Sequence, residues 1–169
     1  MKLTKTNVLE IPLSKGFAAL VDADMFDELS SFRWSLRQNH GNNYARAWSG
    51  GANILMHRVV MRAQKGQIVD HINRNGLDNR RSNLRFVTSL QNLMNSRPKS
   101  KHGYKGLSLD NRRSTKPWQA IARVNGRPKS LGYYATREEA ALAYDRMMVQ
   151  LYGEYAYLNF PALSKETGE

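Results

Sequence analysis

Apolar residues in this chain come in short runs that Gly, Asn and Asp residues separate, and this pattern constrains the fold most. Residues 17–21, 32–36, 44–48 and 84–87 are such runs, and apolar and polar residues alternate in several of them. Alternation over a short run is typical of half-buried strands, whereas a helix needs a longer 3.6-residue repeat. The sequence therefore predicts an α+β fold in which short strands predominate.

The length and composition allow a packed core. The chain has 169 residues, of which 41% are apolar, enough for one ordinary domain or two small ones. It contains no cysteine, which excludes disulfides and cysteine-bound zinc and is typical of a reducing cytosol. No apolar run is long enough to cross a membrane, and the first residues lack the apolar stretch of a signal peptide. We therefore expect a cytoplasmic protein.

Positive charge is concentrated in the middle of the chain. The full sequence has 26 Lys and Arg residues against 14 Asp and Glu, a net charge of +12. Residues 51–100 contribute +7 and residues 101–135 another +7, whereas residues 136–169 contribute −3. This imbalance implies a polyanionic partner, with nucleic acid as the first candidate and an anionic membrane surface as the second.

The first part of the chain, residues 1–53, shows no catalytic pattern. Its strand candidates are joined by turns, and residues 22–29 are typical of a short helix capped by Asp22 or Asp24. We interpret this part as a β-rich region that supports the rest of the protein.

A strand, a polar loop, a second strand and a capped helix follow one another between residues 69 and 95. The strands are predicted at 69–73 and 84–87, and Thr88 is the predicted cap of the helix. Taken alone, a histidine near a strand is more often a structural residue. The compact and strongly basic setting favours a catalytic site instead.

Within that setting, Asp70, His71, Asn83 and Asn92 are the candidate catalytic residues. Imidazole, with an ordinary pKa of about 6.5, suits a general base near neutral pH. Without cysteine, a metal site must use Asp, Glu, His, Asn or backbone oxygen, and carboxylate and amide oxygens suit Mg²⁺ or Mn²⁺. An Asn carbonyl can hold the second ring nitrogen of a basic histidine. The set is therefore suited to cutting phosphodiester bonds with a divalent cation.

The same segment resembles a known family. VDHINRNGLDNRRSNLRFVT at 69–88, followed by QNLMN at 91–95, resembles the HNH endonucleases of phage and mobile introns, in their His-Asn-Asn variety. The resemblance runs from about residue 55 to residue 95. It implies a ββα-metal nuclease, which we place at residues 54–96, after the β-rich N-terminal part.

The resemblance also implies a role for each candidate. His71 matches the general base and Asn83 the residue that orients it, while Asp70 and Asn92 match the metal ligands. Other HNH enzymes have His where this chain has Asn92, so we expect an all-oxygen protein shell and weaker metal affinity. Two further residues are open at this point: His57 either packs in an apolar segment or hydrogen-bonds near the site, and Asn95 is either structural or contacts residues around the metal.

The C-terminal part predicts a small sheet with one helix. After a basic linker at 97–102, residues 104–109, 118–124 and 129–134 are strand candidates, and Asn125-Gly126 is a tight hairpin turn. A capping box, Thr136 with Glu139, begins a helix. The helix is predicted to end at Gly153. Its predicted buried face consists of Ala140, Tyr144, Met147 and Leu151.

The charge distribution favours the sheet of this part as the nucleic-acid surface, because the strands are basic whereas the helix and tail are acidic. The alternative is that basic strand residues only protect a sheet edge from aggregation. The segments GYKGL, WQAIAR, LGYY, EEAALAYD and LNFP, spread over residues 103–161, resemble an AP2 domain. This resemblance implies a three-stranded antiparallel sheet, packed on one helix, that binds the DNA major groove; residues 162–169 form a tail.

Some expected AP2 contact positions carry other residues here, namely Ser108, Asp110, Pro128 and Ser130. The DNA sequence that plant AP2 domains bind is therefore not transferred. The basic residues that remain as candidate DNA contacts are Lys105, Arg112, Arg113, Lys116, Arg123, Arg127 and Lys129.

Together these patterns predict a metal-dependent endonuclease that binds double-stranded DNA as a monomer and nicks it. The resemblance further implies a homing type encoded by a phage or an intron, acting in the host cytoplasm. One alternative is a DNA-binding regulator on an inactive nuclease fold, against which the complete set of four residues argues. Another is an RNA nuclease or RNA-binding protein, although the predicted sheet has few exposed aromatics for base stacking.

Overall fold

The computed structural model describes residues 7–39, 41–98, 102–124 and 126–161. The chain divides into two compact units, Met1–Ser89 and Leu90–Glu169. The division falls at the first residue of a helix rather than in the predicted linker at 97–102, three residues of which lie outside the described ranges. The predicted tail and Asn125 of the predicted hairpin turn also lie outside them. We describe each unit by itself.

The first unit consists of small antiparallel sheets joined by short helices. Its first sheet pairs β1 with β2, its second has the order β3-β4-β5, and its third pairs β6 with β7. The elements are β1 (Val8–Pro12), β2 (Ala18–Asp22), α1 (Phe26–Ser30), β3 (Ser35–Asn39), β4 (Asn42–Ser49), β5 (Ala52–Leu55), α2 (Met56–Val60), β6 (Ile68–His71) and β7 (Leu84–Val87).

Most strand predictions in this unit agree with the structure to within a few residues, but the one at 32–36 is wrong. The strand there, β3, begins only at Ser35. Trp34 lies outside it because its indole packs into the core and donates a hydrogen bond of 2.7 Å to the Leu29 carbonyl. A buried indole nitrogen needs such a partner, and this one holds the chain against the end of α1.

One hydrophobic core joins the N-terminal sheets to the β6–β7 hairpin. Ile11, Val21 and Leu29 from the N-terminal part pack in the same cluster as Met56, Val69 and Leu84. The predicted limit between residues 53 and 54 therefore marks no break in the core. Since apolar burial drives folding, the hairpin depends on the N-terminal part for its stability.

The second unit contains most of α3 (Ser89–Asn95), followed by β8 (Leu107–Leu109), β9 (Trp118–Val124), β10 (Arg127–Tyr134) and α4 (Arg137–Tyr152). The strands form an antiparallel sheet in the order β8-β9-β10. The predicted capping box is present: Thr136 Oγ1 accepts from the Glu139 backbone at 3.2 Å, and Glu139 Oε2 accepts from the Thr136 backbone at 3.3 Å. Three strands and a capped helix thus lie where the sequence predicts them.

The buried face of α4 differs from the predicted one. Ala140, Tyr144 and Met148 are buried, whereas Leu151 is 39% exposed. Residues four apart form a nearly straight row along a helix, and this row faces the sheet, where Ala122 packs against Tyr144 and Met148. Met147 is partly buried and packs against the same core, so of the four predicted residues only Leu151 turns away from the sheet.

Replacing Gly106 with Ala is expected to destabilise the second unit by about 3 kcal/mol or more. Gly106 has a φ of +80°, and an added Cβ would lie 1.9 Å from the Tyr144 ring, inside the core. Gly126→Ala is the matched control, because Gly126 has a φ of +78° but nothing within 4 Å. Urea unfolding should show a clearly larger loss for Gly106→Ala, and equal losses would contradict the close packing.

Within the described residues, no helix is both long and apolar enough to span a membrane.

Candidate active site

His71 occupies the last position of β6 and is 5% exposed. Its Nε2 lies 3.3 Å from Asn79 Oδ1, and its ring meets the rings of His57 and Tyr44 at centroid distances of 4.9 and 5.9 Å. Burial lowers the pKa of His71, although Asn79 and the nearby carboxylates of Asp70 and Asp78 oppose this shift. The imidazole is therefore neutral near pH 7 and able to accept a proton.

His57, from α2, is a second buried imidazole beside it. Its ring stands edge-on to that of His71, and burial, followed by the influence of His71 and Arg58, lowers the pKa of His57 to about 3. The His57 side chain is therefore uncharged at physiological pH and borders the site. Of the two interpretations that the sequence leaves open, the ring contact with His71 supports a position beside the site.

Asn83 joins the two ends of the loop between β6 and β7. Its Nδ2 donates to Asn73 Oδ1 at 3.0 Å and to the Asp78 carbonyl at 2.8 Å, while its Oδ1 accepts from the Asn73 backbone at 3.0 Å. The sequence predicts that Asn83 orients His71. In the structure, the side-chain amide beside the imidazole is that of Asn79, and Asn83 shapes the loop that presents it.

Asn79 is fully buried and held by backbone hydrogen bonds to β2. Its N–H donates to the Leu20 carbonyl at 2.8 Å, and the Leu20 N–H donates to the Leu77 carbonyl at 2.8 Å. Its Nδ2 has no hydrogen-bond partner among the described residues. Nothing in the sequence distinguishes Asn79 as a site residue, although it lies within the HNH-like segment, because an Asn in a Gly- and Asn-rich loop also suits a turn.

Asp78 and Arg80 anchor the same loop. Arg80 donates to both Asp78 oxygens at 2.7 and 2.6 Å, and Asn73 Nδ2 donates to Asp78 at 2.8 Å. The hydrogen bonds from Arg80 are the main reason why the pKa of Asp78 is lowered. The loop that carries Asn79 is therefore fixed by charge as well as by backbone hydrogen bonds.

Asp70, next to His71 in β6, forms an ion pair with Arg85 of the opposite strand. Arg85 donates to Asp70 Oδ2 at 3.2 Å, and the two side chains are only 10% and 9% exposed. The two residues face each other across the β6–β7 ladder. Arg85 is a further residue of the site that the sequence alone did not indicate.

The donor set suits a hard cation bound partly through the substrate. No group of three or more His, Asp or Glu side chains placed for a metal ion occurs among the residues that the structure describes. Mg²⁺ is commonly held by one or two carboxylates with water and substrate phosphates, so a single carboxylate is compatible with it. Asp70 is a carboxylate of this kind beside His71, and its role as a metal ligand stays a prediction.

Comparison with known proteins identifies the family. The family model described as HNH endonuclease matches residues 55–94. A protein of Acanthamoeba polyphaga mimivirus, described as an uncharacterised HNH endonuclease, is 31% identical over 151 residues, which cover 86% of this chain and 76% of that protein. This chain belongs to the HNH endonuclease family. The HNH resemblance predicted from the sequence is confirmed, and no solved structure matches the chain.

HNH endonucleases generally depend on a divalent metal. The sequence predicts two residues that bind this metal, Asp70 and Asn92. Asn92 lies exposed on α3 in the second unit. Asn95, on the same helix, is 2% exposed. The ligand role of Asn92 and the open role of Asn95 stay predictions. The AP2 resemblance also stays a prediction, since the matched family model ends before residue 103.

Lys105 of this HNH endonuclease binds its own chain. Its Nζ donates to the carbonyls of Leu93, Met94 and Ser96 at 3.1, 2.7 and 2.7 Å. These carbonyls end α3, and a cation is favourable at a helix C-terminus. We therefore leave Lys105 out of the proposed DNA contacts.

The pairing of β9 and β10 shows on which face of the sheet each basic strand residue predicted to contact DNA lies. Ala122 packs in the core with α4, so its neighbour Arg123 points to the free face. Directly paired residues share a face, and Lys129 pairs with Ala122 while Arg127 pairs with Val124. Of the three strand candidates, Arg123 is therefore the one on the free face.

The loop between β8 and β9 carries the other three basic candidates, Arg112, Arg113 and Lys116. Arg112 forms an exposed ion pair with Asp110 at 2.8 Å. Arg113 stacks on the Tyr133 ring at 3.7 Å, and Tyr133 pairs with Gln119, which lies four residues before Arg123 and on the same free face. Arg113 and Arg123 therefore flank one surface of the sheet.

Proposed function

We propose that this HNH endonuclease hydrolyses phosphodiester bonds in duplex DNA with the help of Mg²⁺ or Mn²⁺. The observation that carries the proposal is a neutral, buried His71, held by Asn79 and adjacent to the carboxylate of Asp70. A histidine that acts as a general base must be unprotonated at the working pH and fixed in orientation. The basic charge of the middle of the chain supports a DNA substrate.

In this proposal, Asn79 Oδ1 accepts the Nε2 proton of His71, so Nδ1 carries the lone pair that takes a proton from the attacking water. The new bond joins the water oxygen to phosphorus, the bond from phosphorus to the leaving sugar oxygen breaks, and that oxygen takes a proton from solvent. Asp70 would hold the divalent cation, which would neutralise charge at the phosphate, and the ligand role of Asn92 stays a prediction from the sequence. Asn83 keeps the loop closed around Asn79.

We further propose that the second unit binds duplex DNA through Arg113 and Arg123, with Arg112 and Lys116 as phosphate contacts. Arg127 and Lys129 lie on the other face of the sheet and would not contact this DNA. One active site cuts one strand, so a monomer nicks. The resemblance to phage and intron nucleases supports a homing type, and the mimivirus relative supports a virus-encoded origin.

A plasmid assay tests the proposed function. The purified chain should convert supercoiled plasmid to nicked circles in Mg²⁺ or Mn²⁺ and leave it intact in excess EDTA. Tight binding to the plasmid without any nicking would favour the alternative of a DNA-binding regulator on an inactive nuclease fold. Competition by single-stranded RNA as effective as that of duplex DNA would favour the RNA-binding alternative.

Replacing Asn79 with Leu is expected to lower the nicking rate roughly 10–100-fold, the usual effect of losing a group that orients a catalytic side chain. Because Nδ2 lacks a partner among the described residues, Leu of similar size should cost little stability. Asn75→Ser is the control, since Asn75 lies in the same loop and its side chain bonds Leu77. Nitrogen NMR of His71 should show the Nε2–H tautomer in the natural protein and a mixture in Asn79→Leu. An unchanged rate and tautomer would contradict the positioning role.

A further inference from the structure

The sheet β3-β4-β5 has one face that does not pack into the core. Ala45 and Ala47 of β4 are 1% and 2% exposed and point inward. Side chains alternate along a strand, so Tyr44, Arg46 and Trp48 point to the other side. Arg37 of β3 pairs with Tyr44 and shares that side. We call Arg37, Tyr44, Arg46 and Trp48 the outer face.

Trp48 is 68% exposed, more than any other large apolar side chain that the structure describes. It lies at the end of the β4–β5 hairpin, just before the Gly50-Gly51 turn, where both glycines have positive φ. An indole on a hairpin tip gains nothing from the core of its own unit. Aromatic rings in such positions are frequent in binding surfaces, where they supply a large contact area.

The outer face is positive and has no counter-charge nearby in the sequence. Between Glu28 and Asp70 the chain contains no acidic residue. Among the described residues, neither the Arg37 nor the Arg46 guanidinium has an ion-pair or hydrogen-bond partner, although the Arg46 carbonyl accepts a hydrogen bond from Ser35 Oγ at 3.1 Å. Two arginines beside an exposed indole are suited to a polyanion that also offers flat apolar groups.

The outer face is continuous with the candidate active site. The Tyr44 ring lies 5.9 Å from the ring of His71 and 5.8 Å from that of His57. The catalytic loop also packs on Tyr44, because a Cβ added at Gly76 would lie 2.6 Å from its ring. From Tyr44 to Trp48 the strand extends about 13 Å, which is about four base-pair steps of duplex DNA.

We propose that duplex DNA next to the scissile phosphate lies on this outer face. Arg37 and Arg46 contact phosphates, and Trp48 packs against sugars or base edges a few base pairs from the cut. The N-terminal part, interpreted from the sequence as a support, would then bind substrate directly. This inference rests on the proposed nuclease function, because the outer face adjoins His71 through the Tyr44 ring.

Removing both arginines of the outer face tests the proposal. Arg37→Gln with Arg46→Gln in the full chain should weaken binding to a short fluorescein-labelled random duplex. It should also flatten the slope of log K against log salt by roughly two units, about 0.9 for each lost phosphate contact. The matched control, Arg62→Gln with Lys65→Gln, removes the same charge from the same unit and should leave the slope unchanged. Binding of the duplex by both double variants is measured by fluorescence anisotropy in EDTA, so that the DNA is not cleaved.

Trp48→Ala should weaken binding of the same duplex roughly tenfold, the effect of losing one aromatic contact in a binding surface, without changing the salt slope. The proposal would be overturned if the double arginine variant kept the slope of log K against log salt that the unmodified protein shows, or if the control variant changed that slope equally. Unchanged affinity of Trp48→Ala would overturn it as well. These readouts need no catalysis, so a protein that binds DNA but does not nick would refute the proposed function while still deciding this inference.

Discussion

Replacing His71 with Ala is expected to lower the single-turnover rate of DNA nicking roughly 10²–10⁴-fold, the usual contribution of a positioned general base. Affinity for DNA should stay the same, because His71 is 5% exposed and neutral, and offers little surface or charge to bound DNA. The rate is best measured with enzyme in excess over plasmid, so that weak turnover does not mask the chemical step.

His57→Phe is the matched control for that variant. It keeps an aromatic ring beside His71 and Tyr44 but removes the second imidazole of the site. We expect it to keep most of the activity. If His57→Phe loses as much as His71→Ala, the assignment of His71 as the sole base is wrong. A collapse of DNA affinity in His71→Ala, with a normal rate on bound DNA, would also contradict it.

Replacing Asp70 with Asn should lower the nicking rate at moderate Mg²⁺ by about a hundredfold or more, since even residues that only support a metal ligand cost 10–100-fold. Asp70 is the carboxylate of the proposed cation site, and Asn keeps its shape while removing its charge. Part of the rate should therefore return when Mg²⁺ or Mn²⁺ is raised. A titration of rate against metal concentration measures this shift.

Arg85→Gln separates that effect from loss of stability. Both changes break the Asp70–Arg85 ion pair, whose side chains are about nine-tenths buried, and breaking such a pair is destabilising. Only Asp70→Asn removes the carboxylate, so only that variant should require more metal. If Arg85→Gln shifts the metal requirement equally, Asp70 is not the ligand proposed.

Local patterns could be predicted because they depend on neighbours in the sequence. The capping box of Thr136 and Glu139 satisfies its own helix end, and the sequence was sufficient to place it. The β6–β7 hairpin with its polar loop was likewise predictable from a short apolar run on each side. The HNH family model matches residues 55–94, the segment where the sequence predicts the resemblance, and the mimivirus relative extends the similarity over 86% of the chain.

Contacts between distant segments could not be predicted in this way. Asn79 reaches His71 because β2, more than fifty residues earlier, holds its backbone through Leu20. Lys105 is one of several basic residues in its segment, and only the fold places its ammonium on the end of α3. The alternation of apolar and polar residues around Trp48 is that of any half-buried strand. Its 68% exposure depends on which face of the sheet packs against the core.

Metal-dependent hydrolysis at the site of His71 would place one solvent oxygen in each new terminal phosphate. The most direct measurement is nicking of supercoiled plasmid in Mg²⁺ in water enriched in a heavy oxygen isotope, followed by mass analysis of the new terminal phosphate. His71→Ala, purified identically, controls for contaminating nucleases. We expect nicked circles with one solvent oxygen in the terminal phosphate, and almost none from His71→Ala. An intact plasmid, equal nicking by the two preparations, or a terminal phosphate without solvent oxygen would contradict the claim.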